Sequence, residues 1–249
     1  MTALTLAAAQ TLSIAGDVAA NIQRHLVMMQ AAAEHGVQWL VFPELSLTGY
    51  EPFLAADLAI ALESDVLAPL REMARELRLT AVVGMPVRLA PQSGVLIGAL
   101  VLGADGSIGV YTKQHLHSGE ELAFTAGQGG EILDWEDERI ALAVCADFSH
   151  ASHPRLAAES GATVYAAGVL ISEGGYAADS ALLQGYASEH GMLVLMANHG
   201  GPSGGWTSAG RSAVWTADGN LLAAAPGVGD ALVIARREGG LWTGQVVAL

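Results

Sequence analysis

A single cysteine, Cys145, stands in a chain of 249 residues. No internal disulfide is available, so the chain reads as a protein of a reducing compartment, the cytoplasm. Positive charge is scarce too: 11 Lys and Arg stand against 25 Asp and Glu, a formal net charge of −14. No Lys/Arg cluster occurs that could track a phosphate backbone or an anionic membrane surface, which argues against nucleic-acid and membrane partners. No apolar run reaches the roughly 18 residues of a membrane span. The apolar N-terminus, Met1–Gln10, lacks the basic flank of a signal peptide, since the first base is Arg24, and it reads as a buried strand. The hydrophobic share of 52% is too high for a disordered chain. The length suits one large α/β domain with a core that needs no staple.

Lysine is the second singleton. Lys113 is the sole lysine and every other base is an arginine. A coding bias accounts for rare lysine but not for the one that remains. A compact ammonium aimed at a single atom cannot be replaced by a planar guanidinium; a solitary surface lysine is the competing reading.

Hydrophobic periodicity and turn signals predict strands over Leu4–Gln10, Val37–Phe42, Thr80–Val87, Arg139–Ala146, Thr163–Ile171 and Met192–Ala197. Helices are predicted over Val18–His35, with Asp17 as N-cap and Gly36 as stop, and over Ala55–Leu79 with a break near Pro69. Two more cover Pro154–Ser160, with Ser152 as cap, and Tyr176–His190. Two hairpins turn on Asp105-Gly106 and Asp218-Gly219, dipeptides that supply positive φ cheaply. Each half therefore runs strand, helix, strand, hairpin. This predicts two mixed sheets with helices outside, in a single domain over residues 1–249. The Gly/Ser-rich stretch Gly200–Gly210 is placed as a long loop near a site.

Three strand ends carry chemistry-bearing residues. Pro43 follows an apolar strand and sends Glu44 out at its C-terminal end, where α/β sheets bind ligands. An apolar setting raises a carboxyl pKa and makes a base. Taken alone, Glu44 fits a capping or backbone-bonded carboxylate at least as well. Lys113 ends a hairpin strand, where an ammonium could hold an oxyanion or simply be solvated. Cys145 follows five apolar residues and precedes polar ones, so it is either a nucleophile beside a helix start or a buried core thiol. His115, His117, His150 and His153 carry metal-like spacings, but no Cys or Glu completes a recognised site. No Gly-x-Ser-x-Gly elbow, P-loop or dinucleotide fingerprint is present.

Taken together, the segments Phe42-Pro-Glu44-Leu-Ser-Leu-Thr-Gly-Tyr50, Tyr111-Thr-Lys113-Gln-His-Leu116 and Cys145-Ala-Asp147 resemble the nitrilase superfamily of carbon–nitrogen hydrolases. The resemblance runs on through Asn198 and Gly210-Arg-Ser212 to the second hairpin, nearly the whole chain. It implies an α-β-β-α sandwich assembled as homodimers or higher homo-oligomers. It implies Glu44 as base, Lys113 as oxyanion holder and Cys145 as nucleophile. Glu120 is then the second glutamate, with Glu121 as its neighbouring alternative. Tyr50, Ala146 and Phe148 are substrate-binding candidates by position, Ala146 through its backbone N–H. No metal or organic cofactor is implied.

The departures shape the expectation. Phe148-Ser-His-Ala-Ser-His153 replaces the family's Phe-Pro-Glu segment, and Tyr165–Leu170 differs from its usual Pro-Ala segment. The Cys-Trp-Glu of true nitrilases is missing, which favours small amides over nitriles. The implied reaction is amide hydrolysis through a cysteine thioester. N-carbamoyl amide or nitrile hydrolysis, a non-catalytic binding protein of the same fold, and a small-ligand binder with a merely buried cysteine are the alternatives. Glu173 and His117 are placed at the pocket mouth, where they would disfavour strongly anionic substrates.

Overall fold

The computed structural model describes residues 4–249; Met1–Ala3 of the apolar N-terminal stretch lie outside them. In chain order the elements are β1 Leu4–Gln10, α1 Val18–Glu34, β2 Trp39–Val41, α2 Ala55–Leu58, α3 Ala68–Leu77, β3 Thr80–Val87, β4 Leu96–Leu102 and β5 Ile108–Thr112. Then follow β6 Leu133–Trp135, β7 Glu138–Val144, α4 Ser152–Glu159, β8 Val164–Val169, α5 Tyr176–His190 and β9 Leu193–Asn198. The chain closes with β10 Ala213–Trp215, β11 Leu221–Ala224, β12 Ala231–Glu238 and β13 Leu241–Ala248. Among the described residues no helix is long and apolar enough to cross a membrane.

Two sheets form, with strand orders β13-β12-β1-β2-β3-β4-β5 and β11-β10-β9-β8-β7-β6. In the first, β1, β2 and β3 run parallel; in the second, β7, β8 and β9 do. Antiparallel hairpins flank both, including the two on Asp-Gly turns. Alternation along each strand divides its apolar side chains between two faces. Leu6, Ala8 and Val41 meet Ile140, Leu142 and Leu195 between the sheets. Ala7, Ala9 and Leu40 pack outward on α1 and α3 through Met29, Ala32 and Leu70. Ala141, Ala167 and Val194 pack outward with Leu183 and Ala187 of α5. The result is the four-layer α-β-β-α sandwich that the resemblance implied.

Local signals account for much of this. The Asp17 side chain accepts the Ala20 N–H and caps α1, and Gly36 follows the helix at φ 72°. Two readings need correction. The Ala55–Leu79 helix breaks at residues 59–64 and not near Pro69, which occupies the first turn of α3, where a missing N–H costs nothing. Ser152 is the first residue of α4 and makes no capping bond. The strands β6, β12 and β13 were not anticipated. β12 pairs with β1 across more than 200 residues, from Leu4–Arg237 to Gln10–Ala231, so the C-terminal segment completes the first sheet.

Candidate active site

β2, β5 and β7 end at the same edge of the sandwich, and each delivers one side chain there. Beyond β2 the chain leaves the sheet at Pro43, and Leu45 adopts φ 51°. The segment is wedged between two glycines. A Cβ on Gly84 of β3 would lie 2.5 Å from the Pro43 carbonyl oxygen and closer still to the Leu45 amide. A Cβ on Gly168 of β8 would lie 2.6 Å from the Phe42 carbonyl oxygen. Only bare backbone from both sheets admits this approach. Buried His199 fixes the same turn: its Nε2 lies 2.7 Å from the Glu44 carbonyl oxygen, an acceptor only, so this nitrogen carries the proton. Burial holds His199 down at about 4, hence neutral at pH 7.

Lys113 follows β5 and is wholly buried. Its Nζ donates to Glu44 Oε1 at 2.6 Å and to Glu120 Oε1 at 2.8 Å. Burial opposes the ammonium, but the negative charge beside it, Glu44 first, outweighs burial and holds its pKa above the ordinary lysine value. Glu120 is engaged at both oxygens. Oε1 also accepts the Tyr50 hydroxyl at 2.8 Å, and Oε2 accepts the His117 amide at 2.8 Å. Glu121 turns away, its carboxylate accepting the Gly119 amide. Glu44 differs: its Oε2 is buried and accepts no hydrogen bond. Burial raises the Glu44 pKa, Lys113 pulls it down and Glu120 raises it again, for a net upward shift.

Cys145 closes β7 with φ 44°, a left-handed conformation that costs a non-glycine residue free energy and is typical of functional elbows. A 3₁₀ turn, Cys145–Ser149, starts at the thiol. Burial and the neighbouring Glu44 push the thiol pKa well above its ordinary value, with Lys113 opposing them, so the resting sulfur is protonated.

A cavity of about 290 Å³ opens at this point. Glu44, Tyr50, Glu120, Cys145, Ala146 and Phe148 all line it; Lys113, bonded to both glutamates, is not among the lining residues. His117 reaches the cavity as expected; Glu173 does not line it and pairs with Arg211 at 3.0 Å. Trp206, from the Gly200–Gly210 loop, lines it, as does Leu170 from the segment that departs from the family pattern. Asp179 of α5 also faces it and was missed, since helical periodicity alone does not tell which face meets a cavity. His115 and His150 stack on each other at 3.9 Å, and neither lines the cavity, although His150 Nδ1 lies 3.1 Å from the Ala146 carbonyl oxygen.

The α-β-β-α sandwich matches the fold of a nitrilase-superfamily amidase. The chain belongs to the carbon-nitrogen hydrolase family, whose model matches residues 5–242. It is similar to the NitN amidase of Nesterenkonia sp. AN1, at 28% identity and TM-score 0.84, over 93% of this chain and 91% of that one. A variant of that amidase in complex with butyramide superposes with TM-score 0.86 at 26% identity, over 95% and 92% of the two chains. Another carries acrylamide added to its active-site cysteine, at 27% identity and TM-score 0.84, over 93% and 92%. In sequence the chain is 30% identical to omega-amidase YafV of Yersinia enterocolitica, across 53% of this chain and 50% of that protein. It thus spans about half the length of that curated relative.

Proposed function

We propose that the protein is an amidase that hydrolyses a small linear amide to a carboxylate and ammonia or an amine, through a thioester on Cys145. One observation carries this reading. Lys113 occupies Glu44 Oε1 and leaves Oε2 buried without a partner, in the cavity that holds the Cys145 thiol. A buried carboxylate with one open oxygen and a raised pKa suits a general base near neutral pH.

Oε2 of Glu44 takes the thiol proton as the sulfur attacks the amide carbonyl. The carbonyl oxygen gains negative charge, held by the third Lys113 N–H and the backbone N–H of Ala146. The C–N bond then breaks, and the departing nitrogen takes the proton from Glu44. Glu44 next accepts a proton from water as the oxygen attacks the thioester. The C–S bond breaks, the sulfur recovers its proton from Glu44, and the acid product leaves. Glu120, locked at both oxygens, holds Lys113, Tyr50 and the His117 amide in register. Phe148 and Tyr50 form walls. No step calls for a metal or an organic cofactor.

Residues 1–249 form one carbon–nitrogen hydrolase domain in this reading, acting in the cytoplasm as a homodimer or higher homo-oligomer. The decisive experiment is ammonia release across aliphatic amides, ω-amides, carbamoyl amino acids and nitriles, combined with mass spectrometry of the quenched enzyme. Turnover of a linear amide with one acyl group on Cys145 is expected. Turnover confined to nitriles or carbamoyl compounds moves the assignment to those classes, and inertness throughout favours a binding protein.

A further inference from the structure

Among the residues that line the cavity, Glu44, Glu120 and Asp179 are acidic and none is Lys or Arg. Lys113 is not among the lining residues, and two of its three N–H groups are taken by the two glutamates. Asp179 is left over. Its carboxylate makes no hydrogen bond or ion pair among the described residues, and burial alone pushes its pKa upward. Arg211, which lies over the ring of Tyr176 in the same helical turn at 5.2 Å, is paired with Glu173.

Four of the amides at the start of α5 are already taken. The amides of Gly175 and Tyr176 donate to the Ser172 carbonyl, and those of Ala178 and Asp179 to the Gly175 carbonyl. Asp179 itself occupies the first helical turn, where a negative charge already satisfies the positive end of the helix dipole. Trp206 also lines the cavity, edge-to-face with His117, and an aromatic face attracts a cation rather than an anion.

Resting on the amidase reading of this cavity, we infer that Asp179 is a specificity-determining residue that selects amides bearing an ammonium or another strong hydrogen-bond donor at the end remote from the scissile bond, and rejects amides bearing a carboxylate there. The scissile amide sits at Cys145 between Glu44 and Phe148, and the remote group meets Asp179 with Trp206 alongside. A remote carboxylate would enter a partly desolvated space that holds a like charge and no cation, an arrangement that repels it.

The test compares butyramide with two analogues that replace its terminal methyl, β-alaninamide with an ammonium and succinamate with a carboxylate. The parent enzyme should show kcat/KM at least tenfold higher for β-alaninamide than for succinamate, with butyramide between. Asp179→Asn, nearly isosteric, should shrink that ratio at least tenfold. Equal or faster turnover of succinamate by the parent enzyme overturns the inference without any variant, and so does an Asp179→Asn ratio within twofold of the parent. If none of the three releases ammonia, the amidase reading fails. The charge preference is then read from protection of Cys145 against iodoacetamide: stronger protection by β-alaninamide supports it, and equal or stronger protection by succinamate overturns it.

Discussion

The Asp147 carboxylate receives the Tyr111 hydroxyl at 2.7 Å, a bond that crosses from the second sheet to the first. Its other contacts make it a latch. Oδ2 also accepts the Val144 amide at 3.0 Å, closing the turn that carries Cys145. Oδ1 accepts the amides of Gln114 and His115 at 3.0 and 2.9 Å, fixing the segment that follows Lys113. His153 backs the Tyr111 hydroxyl at 2.7 Å and bonds the Tyr165 hydroxyl at 2.8 Å. The histidines that displace the family's Phe-Pro-Glu segment thus buttress the nucleophile turn. Asp147→Asn should turn a donor toward donors at one end of the latch. Leaving buried groups unpaired costs about 1–3 kcal/mol each. The variant should melt lower and lose at least tenfold in kcat; an unchanged kcat would show that the latch does not position the thiol.

Cys145→Ala removes the attacking atom and little volume. Turnover should fall below about 1% of the parent, and the acyl adduct seen by mass spectrometry should vanish. The melting temperature should hold or rise, because alanine leaves no buried polar group at this strained turn. Measurable turnover above that level would mean that no thioester lies on the path.

Gly84→Ala tests how Glu44 is aimed. The new methyl would enter the Pro43–Leu45 backbone, which cannot yield as a flexible side chain would. Overpacking of this kind costs about 1–3 kcal/mol. Loss of kcat should exceed what the residual folded fraction explains, since a displacement near 1 Å at a catalytic group can cost on the order of 100-fold. Denaturant titration beside kinetics separates the two effects, and a variant with parental kcat would remove the wedge from the argument.

Two buried histidines set the acid stability. Burial lowers His25 to about 3 and His199 to about 4, whereas the unfolded chain titrates them near 6.5. The unfolded state therefore binds more protons below pH 6.5, and unfolding free energy falls as pH drops through that value toward 4. Each histidine contributes up to about 1.4 kcal/mol per pH unit. Glu44 acts in the opposite sense, because its raised pKa lets the folded state take a proton first. With His25, His199 and His153 lowered against Glu44 and Asp179 raised, the net is acid destabilisation. Urea midpoints at pH 7, 6 and 5 should decrease in that order, and a flat series would contradict the neutral assignment of both rings.

Local rules reached the parts of the fold that are locally determined. Asp17 caps α1, Tyr176–His190 is a helix end to end, and both Asp-Gly dipeptides turn hairpins. The β12–β1 pairing escaped because its register is set by a partner more than 200 residues away. Pro69 misled because proline breaks a helix interior but suits a first turn. At the site, Glu44, Lys113 and Cys145 were legible as strand-end candidates, two of them the only residues of their kind, and the resemblance of their three segments to one family singled them out. Asp179, His199 and the paired glycines Gly84 and Gly168 act through contacts between sheets or helix faces, which no local pattern encodes.

Lys113→Arg puts the sole lysine to the test while keeping the charge. The ammonium is wholly enclosed, with Glu44 Oε1 at 2.6 Å and Glu120 Oε1 at 2.8 Å. A guanidinium is larger and planar, and it spreads its charge over a fork. It can hold both carboxylates only by displacing one of them or by filling the space of the carbonyl oxygen. Loss of an oxyanion donor costs about 3–4 kcal/mol, roughly 100- to 1,000-fold in turnover. The negative charge develops only in the transition state, so the loss should fall on kcat, with KM little changed. Thermal melting controls for folding, and the acyl-enzyme should accumulate more slowly in a burst measurement. A surface lysine would accept arginine silently, but burial between two carboxylates leaves no room for that outcome. If kcat stays within threefold of the parent, Lys113 does not stabilise the oxyanion, and Ala146 and its neighbouring amides must do so alone.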